Sequence, residues 1–275
     1  MLTKHLSGFV LALTVAGAGL VTTGCKSDPA SEKNWLGQLV EPLSPPTPGE
    51  AARDALNPDD PDRRQRGLAR IAASDFGGEE PYVKMYRMLL TDPDPTVRAT
   101  AARALGMHGS VADAGRIVPL LEDDAGYVRW EAAKALQRIH NPDTVGPLVE
   151  AVQNDEDGDV RMAVAEALGQ YPRSDVFQAL VGALTDTNYG VVQAANRSLA
   201  TLTGQDLPPR PGAWLDWAEA SGSGLFARQK TYTYRPYHEP PGFFKKKLQF
   251  WRDFERPAPE TPAGLGSTET TGSQG

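Results

Sequence analysis

The stretch DPDPTVRATAARALG, residues 92–106, recurs along the chain with the same order of residue types. An aspartate is followed six residues later by an arginine, and then by an alanine-rich run that ends in leucine. The valines at the matching position of the four copies are 31, 32 and 31 residues apart, and they are Val97, Val128, Val160 and Val191. A period of this length predicts a solenoid in which each repeat is one supersecondary unit.

Each copy predicts an α-helix that pairs with a helix upstream. After Val128, the apolar residues Ala132, Ala135, Leu136 and Ile139 fall on one helical stripe. The predicted pairs are 82–90 with 95–107, 111–121 with the helix after Val128, 142–152 with 159–170, and 175–184 with 190–202. A degenerate pair precedes them within residues 49–73. The linkers are short, so the paired helices are antiparallel. The predicted fold class is all-α, an α-solenoid of about five helical hairpins with an irregular C-terminal extension.

The repeated phrase resembles the HEAT-repeat family, especially the short bacterial repeats of phycobilin lyases. The matching motif is Asp-x5-Arg followed by an alanine-rich helix that ends in Leu-Gly. In that family the aspartate and the arginine stack from repeat to repeat as a ladder. The resemblance implies three pairs, which are Asp92 with Arg98, Asp123 with Arg129, and Asp155 with Arg161. In the last copy Val192 stands where the arginine is expected after Asp186, so the ladder is expected to end there.

Residues 1–24 are interpreted as a signal peptide. The apolar run 8–21 is 14 residues long, too short to cross a bilayer. It leads to Thr22-Thr23-Gly24-Cys25, which resembles a bacterial lipoprotein cleavage box and makes Cys25, the only cysteine, the predicted lipidation site. The alternative is an ordinary signal peptide followed by an incidental cysteine. Lys26 in place of an aspartate favours the outer membrane, so the expected location is the bacterial cell envelope, lipid-anchored and facing the periplasm.

The chain after the signal peptide divides into five segments. Residues 25–48 are expected to form a proline-rich tether, and 49–204 the solenoid itself. Residues 205–224 contain Trp214 and Trp217, three apart, and predict a helix that caps the last repeat. Residues 225–256 form a basic aromatic extension, with eight basic and three acidic residues between 228 and 256. Residues 257–275 are expected to be disordered.

The sequence offers little catalytic chemistry. The histidines are isolated from one another, and no phosphate loop, nucleophile elbow or zinc motif occurs. The acidic run 155–159 lacks the spacing of a calcium loop and is interpreted as a solvated turn. The net charge of −7 argues against nucleic acid as a partner. We therefore expect no catalytic residues, no metal and no cofactor.

The remaining hypothesis is an interaction scaffold that binds an unknown protein partner, with the chain itself a monomer. The candidate partner surface comprises residues two and three positions after the repeat valines, on helices expected to point outward. Its members are Trp130, Glu131, Met162 and Gln193. Trp130 and Met162 occupy the same column in adjacent repeats and form a candidate contact site, unless the C-terminal segment folds back and buries them. Two alternatives stay open: a structural factor that bridges the membrane and another envelope component through its basic tail, and a lyase-like enzyme.

Overall fold

The computed structural model describes residues 47–236 and 258–265. The signal peptide, Cys25, most of the tether, the middle of the basic extension and residues 266–275 lie outside the described residues. The described helices are α1 (Pro48–Ala55), α2 (Pro61–Ala72), α3 (Glu80–Leu89), α4 (Pro95–His108), α5 (Ala114–Ile117), α6 (Gly126–Arg138), α7 (Val145–Asn154), α8 (Gly158–Leu168), α9 (Ser174–Ala183), α10 (Tyr189–Thr203) and α11 (Pro211–Ser221). None of the helices in this part of the chain is long and apolar enough to cross a membrane.

Five antiparallel hairpins, α1–α2 through α9–α10, stack in chain order, which confirms the predicted all-α solenoid. The aspartate-rich phrase starts the second helix of a hairpin because its side chains cap free backbone amides. Asp94 accepts hydrogen bonds from the amides of Thr96 and Val97, and Pro95 occupies the first turn, where the missing amide proton costs nothing. Asp157 and Asn188 cap α8 and α10 in the same way, whereas Ala125, the N-cap residue of α6, forms no side-chain cap.

The predicted single helix 111–121 is broken in the structure. It consists of a 3₁₀ turn at Val111–Asp113, the short helix α5 and a second 3₁₀ segment at Val118–Glu122. Pro119 explains the break, because it has no amide proton to bond the carbonyl four residues earlier and its ring disfavours a continuous α-helix. The segment still buries Ile117, Leu120 and Leu121 against the rest of the hairpin.

The second helices of neighbouring hairpins pack closely because small residues line their contact. A Cβ atom placed on Gly106 of α4 would lie 2.8 Å from the Cα atom of Ala135 in α6. Val97, Val128, Val160 and Val191 are all fully buried, so the residue that defines the repeat is also a residue of the core. One apolar core consequently runs from α1 to α11, which no hairpin could form alone.

The ladder of ion pairs connects different repeats, so the pairing predicted within each repeat is wrong. Arg98 donates to the Asp123 carboxylate at 2.7 and 2.9 Å, and its third nitrogen reaches the backbone carbonyls of Asp92, at 2.9 Å, and Pro93, at 3.0 Å, but not the Asp92 carboxylate. The four rungs are Arg64–Asp92, Arg98–Asp123, Arg129–Asp155 and Arg161–Asp186. Each carboxylate also accepts an amide two residues later in its own turn, which orients it toward the preceding repeat.

The last rung pairs Arg161 with Asp186, and helix α11 follows it in the stack. Val192 provides no further arginine, as the sequence departure suggested. Trp214 of α11 is fully buried and donates from its indole nitrogen to Asn196 Oδ1 of α10 at 3.0 Å. The ring of Trp217 meets Trp214 edge-on, with centroids 6.4 Å apart. This helix therefore covers the apolar end of the fifth hairpin.

The C-terminal extension crosses the second helices. Tyr232 is buried, and Tyr234 exchanges both backbone hydrogen bonds with Glu260, at 2.9 and 2.8 Å. The prediction of disorder from residue 257 onward is wrong for 258–265. The carbonyl of Arg138, at the end of α6, receives no hydrogen bond within its helix. It accepts a hydrogen bond from the Ala263 amide at 2.7 Å, and the His140 amide donates to the Ala263 carbonyl.

Candidate interaction surface on the second helices

We use the term second-helix face for the surface formed by α4, α6, α8 and α10 together with the extension residues that cross them. The expectation that both positions after each valine point outward is wrong. Ala99, Thr100, Glu131, Ala163 and Ala194 are buried. The reason is that each second helix packs against the second helices on both sides, so these positions face a neighbour rather than solvent.

Trp130 and Met162 have different surroundings despite their shared column. Trp130 is half-buried and lines a cavity of about 460 Å³ with Arg103, Glu131 and Lys134. Met162 packs at the start of α10, where a Cβ atom on Gly190 would lie 2.9 Å from the methionine sulfur. Gln193 is half-buried on α10. The structure thus assigns Trp130 and Glu131 to one cavity and does not add Met162 to it.

A chain of charged side chains links the second helices on this face. Arg103 of α4 donates from Nε to Glu131 of α6 at 2.8 Å, and only 7% of the Glu131 side chain is exposed. Glu166 of α8 accepts Lys134 at 3.2 Å and Arg197 at 3.2 Å, one on each of its oxygens. The cations and carboxylates therefore lie in fixed positions that the repeat geometry dictates.

The C-terminal extension forms a wall of the cavity. Arg235, which is exposed, lines the same 460 Å³ space as Trp130, together with Arg138 at the end of α6. The guanidinium carbon of Arg138 lies 5.9 Å from the ring centroid of Tyr234, within the range of a cation–π contact. Among the described residues of the extension, Arg235 is the one that lines the Trp130 cavity.

Two tyrosines of the extension form hydrogen bonds, Tyr232 with the repeats and Tyr234 with Glu260 farther along the extension. The Tyr232 hydroxyl accepts from Gln137 Nε2 at 2.8 Å and donates to the Glu166 carbonyl at 2.8 Å. Burial raises the pKa of Tyr232 well above its usual range, against the opposing effect of the Gln137 bond. Burial, helped by the Glu260 carboxylate at 2.9 Å, raises the pKa of Tyr234 to about 12. Both phenols are therefore neutral hydrogen-bonding groups at neutral pH.

The charge of the cavity contrasts with that of the chain. Its lining contains four cations and one carboxylate, namely Arg103, Lys134, Arg138, Arg235 and Glu131. The whole chain carries −7. The cavity is thus a locally basic site with one indole wall on an acidic protein. A site of this kind attracts negatively charged groups.

Sequence reasoning missed the cations of this cavity although a signal was present. Six residues after the repeat valines stand charged residues that follow the same period, and these are Arg103, Lys134, Glu166 and Arg197. Attention to this column, rather than to the two positions nearest the valine, would have found the polar part of the surface. Arg235 has no repeat counterpart and could not have been placed from the sequence.

The acidic run 155–159 forms a turn of the ladder. Asp155 pairs with Arg129, and its Oδ1 atom also accepts the amide of Asp157 at 2.8 Å. Asp157 in turn caps the amide of Asp159. Across residues 47–236 and 258–265, no group of three or more His, Cys, Asp or Glu side chains is arranged to hold a metal ion.

Comparison with known proteins identifies the repeats. Residues 114–200 match the family of HEAT repeats, and residues 83–107 match the HEAT repeat. Residues 83–107 and 114–200 are therefore HEAT repeats, as their motif suggested. No curated protein matches the sequence.

The chain is similar to several solved structures. The crystal structure of YibA from Escherichia coli is 25% identical, with 56% of this chain and 60% of that chain covered and a TM-score of 0.47. The crystal structure of an engineered protein is also 25% identical, covering 57% of this chain and 81% of that one, with a TM-score of 0.46. The match thus spans less than two thirds of the length of YibA.

Proposed function

We propose that this chain is a non-enzymatic scaffold that binds a protein partner through its second-helix face. HEAT repeats are helical scaffolds typical of protein interaction, and a stack of hairpins presents one continuous surface. The observation that carries the proposal is the cavity around Trp130, where an indole and several arginines, the side chains that dominate binding energy at interfaces, stand together at a half-buried position.

The proposal includes an anchor in the bacterial cell envelope. The lipoprotein-like box that ends at Cys25 supports it, and the proline-rich residues 26–48 would separate the solenoid from the membrane. The partner would then be a protein on the periplasmic side of the outer membrane. In the bridging alternative, the same scaffold makes a second contact through its basic extension. The aromatic and basic composition of residues 225–256 supports this alternative.

The experiment is a capture assay from envelope extract with matched variants. Arg235→Glu reverses an exposed charge of the cavity wall, and Arg116→Glu reverses an exposed charge on α5, away from this face. We expect the partner captured by the native chain to be lost with Arg235→Glu and retained with Arg116→Glu. Equal capture by the native chain, Arg235→Glu and Arg116→Glu would rule out the second-helix face as the binding surface.

A further inference from the structure

We propose that the cavity around Trp130 binds an acidic, extended peptide segment, with carboxylates held by its arginines and an apolar side chain against the indole. This inference rests on the proposed function, since it specifies the chemistry of the partner at the same face. It differs from the general scaffold proposal because it commits to the sign of the charge and to the shape of the ligand.

The arrangement of cations supports a carboxylate-bearing ligand. Arg103 is fixed by its bond to Glu131, yet half of its side chain is still exposed. Within the described residues, Arg138 and Arg235 form no ion pair, and both border the cavity. A guanidinium offers paired donors that match a carboxylate in a bidentate fashion. The cavity can therefore neutralise more negative charge than Glu131 supplies.

The shape of the surface supports an extended ligand rather than a compact one. The Trp130 cavity shares Lys134 and Arg235 with a second space of about 520 Å³, which Glu166 and Arg197 also line. It shares Arg103 and Arg138 with a third of about 410 Å³, which reaches His108 of α4. The three spaces follow one another across α2, α4, α6, α8 and α10. A strand-like peptide can cross several repeats in this direction, whereas a small ion would occupy one position.

The charge of the extension itself disfavours it as the occupant. Between Arg228 and Arg256 it carries eight basic and three acidic residues, a net charge of +5, so the rest of the chain carries −12. A basic segment in a basic cavity would experience repulsion. Its described residue at the cavity, Arg235, adds to the positive wall instead. The complementary partner is therefore an acidic segment of another protein.

The test uses the full chain and two rhodamine-labelled peptides of equal length. One contains glutamates interrupted by phenylalanines, and the other has lysine in place of every glutamate. Fluorescence anisotropy measures binding to the native chain, to Arg235→Glu and to Arg116→Glu. We expect the acidic peptide alone to bind, and the dissociation constant to rise about ten-fold with Arg235→Glu, equivalent to about 1.4 kcal/mol. Arg116→Glu should leave it unchanged. Added salt should weaken binding to the native chain.

Two further results distinguish this inference from the broader proposal. If neither peptide binds, if both bind equally, or if Arg235→Glu binds the acidic peptide as well as the native chain does, the acidic-ligand inference is overturned. The scaffold proposal survives that result whenever envelope capture still depends on Arg235. If peptide binding and Arg235-dependent capture both fail, both proposals are overturned. Circular dichroism of each variant excludes loss of the helical fold as the cause.

Discussion

The phenol of Tyr232 joins the C-terminal extension to the solenoid at a point 95 residues from its partner Gln137, whose Nε2 donates to the phenol oxygen at 2.8 Å. The same hydroxyl donates to the carbonyl of Glu166 in α8. One side chain thus satisfies a buried donor on α6 and an acceptor on α8. This buried contact ties the extension to the repeats three residues before Arg235.

Tyr232→Phe should loosen the extension. The change leaves the Gln137 amide without this acceptor in a buried site, which costs about 1–3 kcal/mol. We expect a lower melting temperature and faster proteolytic cleavage between residues 225 and 236. Tyr189→Phe is the matched control, since 74% of Tyr189 is exposed and its change should stay within about 0.5 kcal/mol. Identical proteolysis of both variants would contradict the anchoring role of Tyr232.

Arg98→Leu should destabilise the junction between the second and third hairpins. The change leaves the Asp123 carboxylate, only 7% exposed, without its guanidinium partner, and we expect a loss of roughly 3 kcal/mol in the free energy of unfolding. The control is Arg173→Leu, which breaks an exposed pair with Asp175 and should cost about 1 kcal/mol or less. Chemical denaturation measures both. A larger loss for Arg173→Leu would show that the ladder does not stabilise the stack.

Acid should weaken the ladder in a defined direction. Hydrogen bonds from Arg98 and Arg161 lower the pKa of Asp123 and of Asp186 below the value of an unfolded aspartate, about 3.9. The folded chain then binds fewer protons than the unfolded chain, so the stabilisation is present above about pH 4 and is lost as the pH falls through the lowered pKa values.

Asp186→Asn isolates this effect. We expect a less stable protein at neutral pH whose free energy of unfolding falls less steeply below about pH 4, because one of the shifted groups is gone. The control is Asp216→Asn, an exposed position on α11. Denaturation curves at a series of pH values give the slopes. An Asp186→Asn slope as steep as that of the native chain would mean that the last rung does not contribute to acid sensitivity.

Cys25→Ser tests the envelope anchor. Removal of the thiol prevents acylation, and a chain without acyl groups has no lipid to hold it at a membrane. We expect the native chain in the membrane fraction and Cys25→Ser in the soluble fraction, as followed by immunoblotting after ultracentrifugation. Mass spectrometry of the native N-terminus provides the independent check. Equal fractionation of the two chains would contradict the lipoprotein hypothesis.

The periodic features of the fold were predictable from the sequence, whereas the contacts between distant segments were not. The spacing of Val97, Val128, Val160 and Val191 gives the hairpins because each repeat must bury the same positions. The direction of the ladder was missed, since Asp123 lies six residues from Arg129 of its own motif and 25 from Arg98, and nothing in the sequence shows that its bond to the Ala125 amide turns it toward Arg98.

The C-terminal extension shows a different limit. Residues 258–265 have the composition of a disordered tail, and their order comes from backbone bonds between Ala263 and the end of α6. Such bonds use no side chain and leave no pattern in the sequence. The cavity depends on a similar long-range contact, because Arg235 lines it three residues after Tyr232, whose hydroxyl bonds the repeats.

The most direct test of the scaffold account is photo-crosslinking from the second-helix face. A benzophenone amino acid replaces Gln193 on α10 in one chain and Gln178, an exposed residue of α9 on the first helices, in the other. Both chains are expressed in the cell envelope and irradiated. The account predicts a crosslinked partner from position 193 that is absent from position 178 and is lost when Arg235→Glu is added. A partner crosslinked equally from both positions, or from position 178 alone, would contradict it.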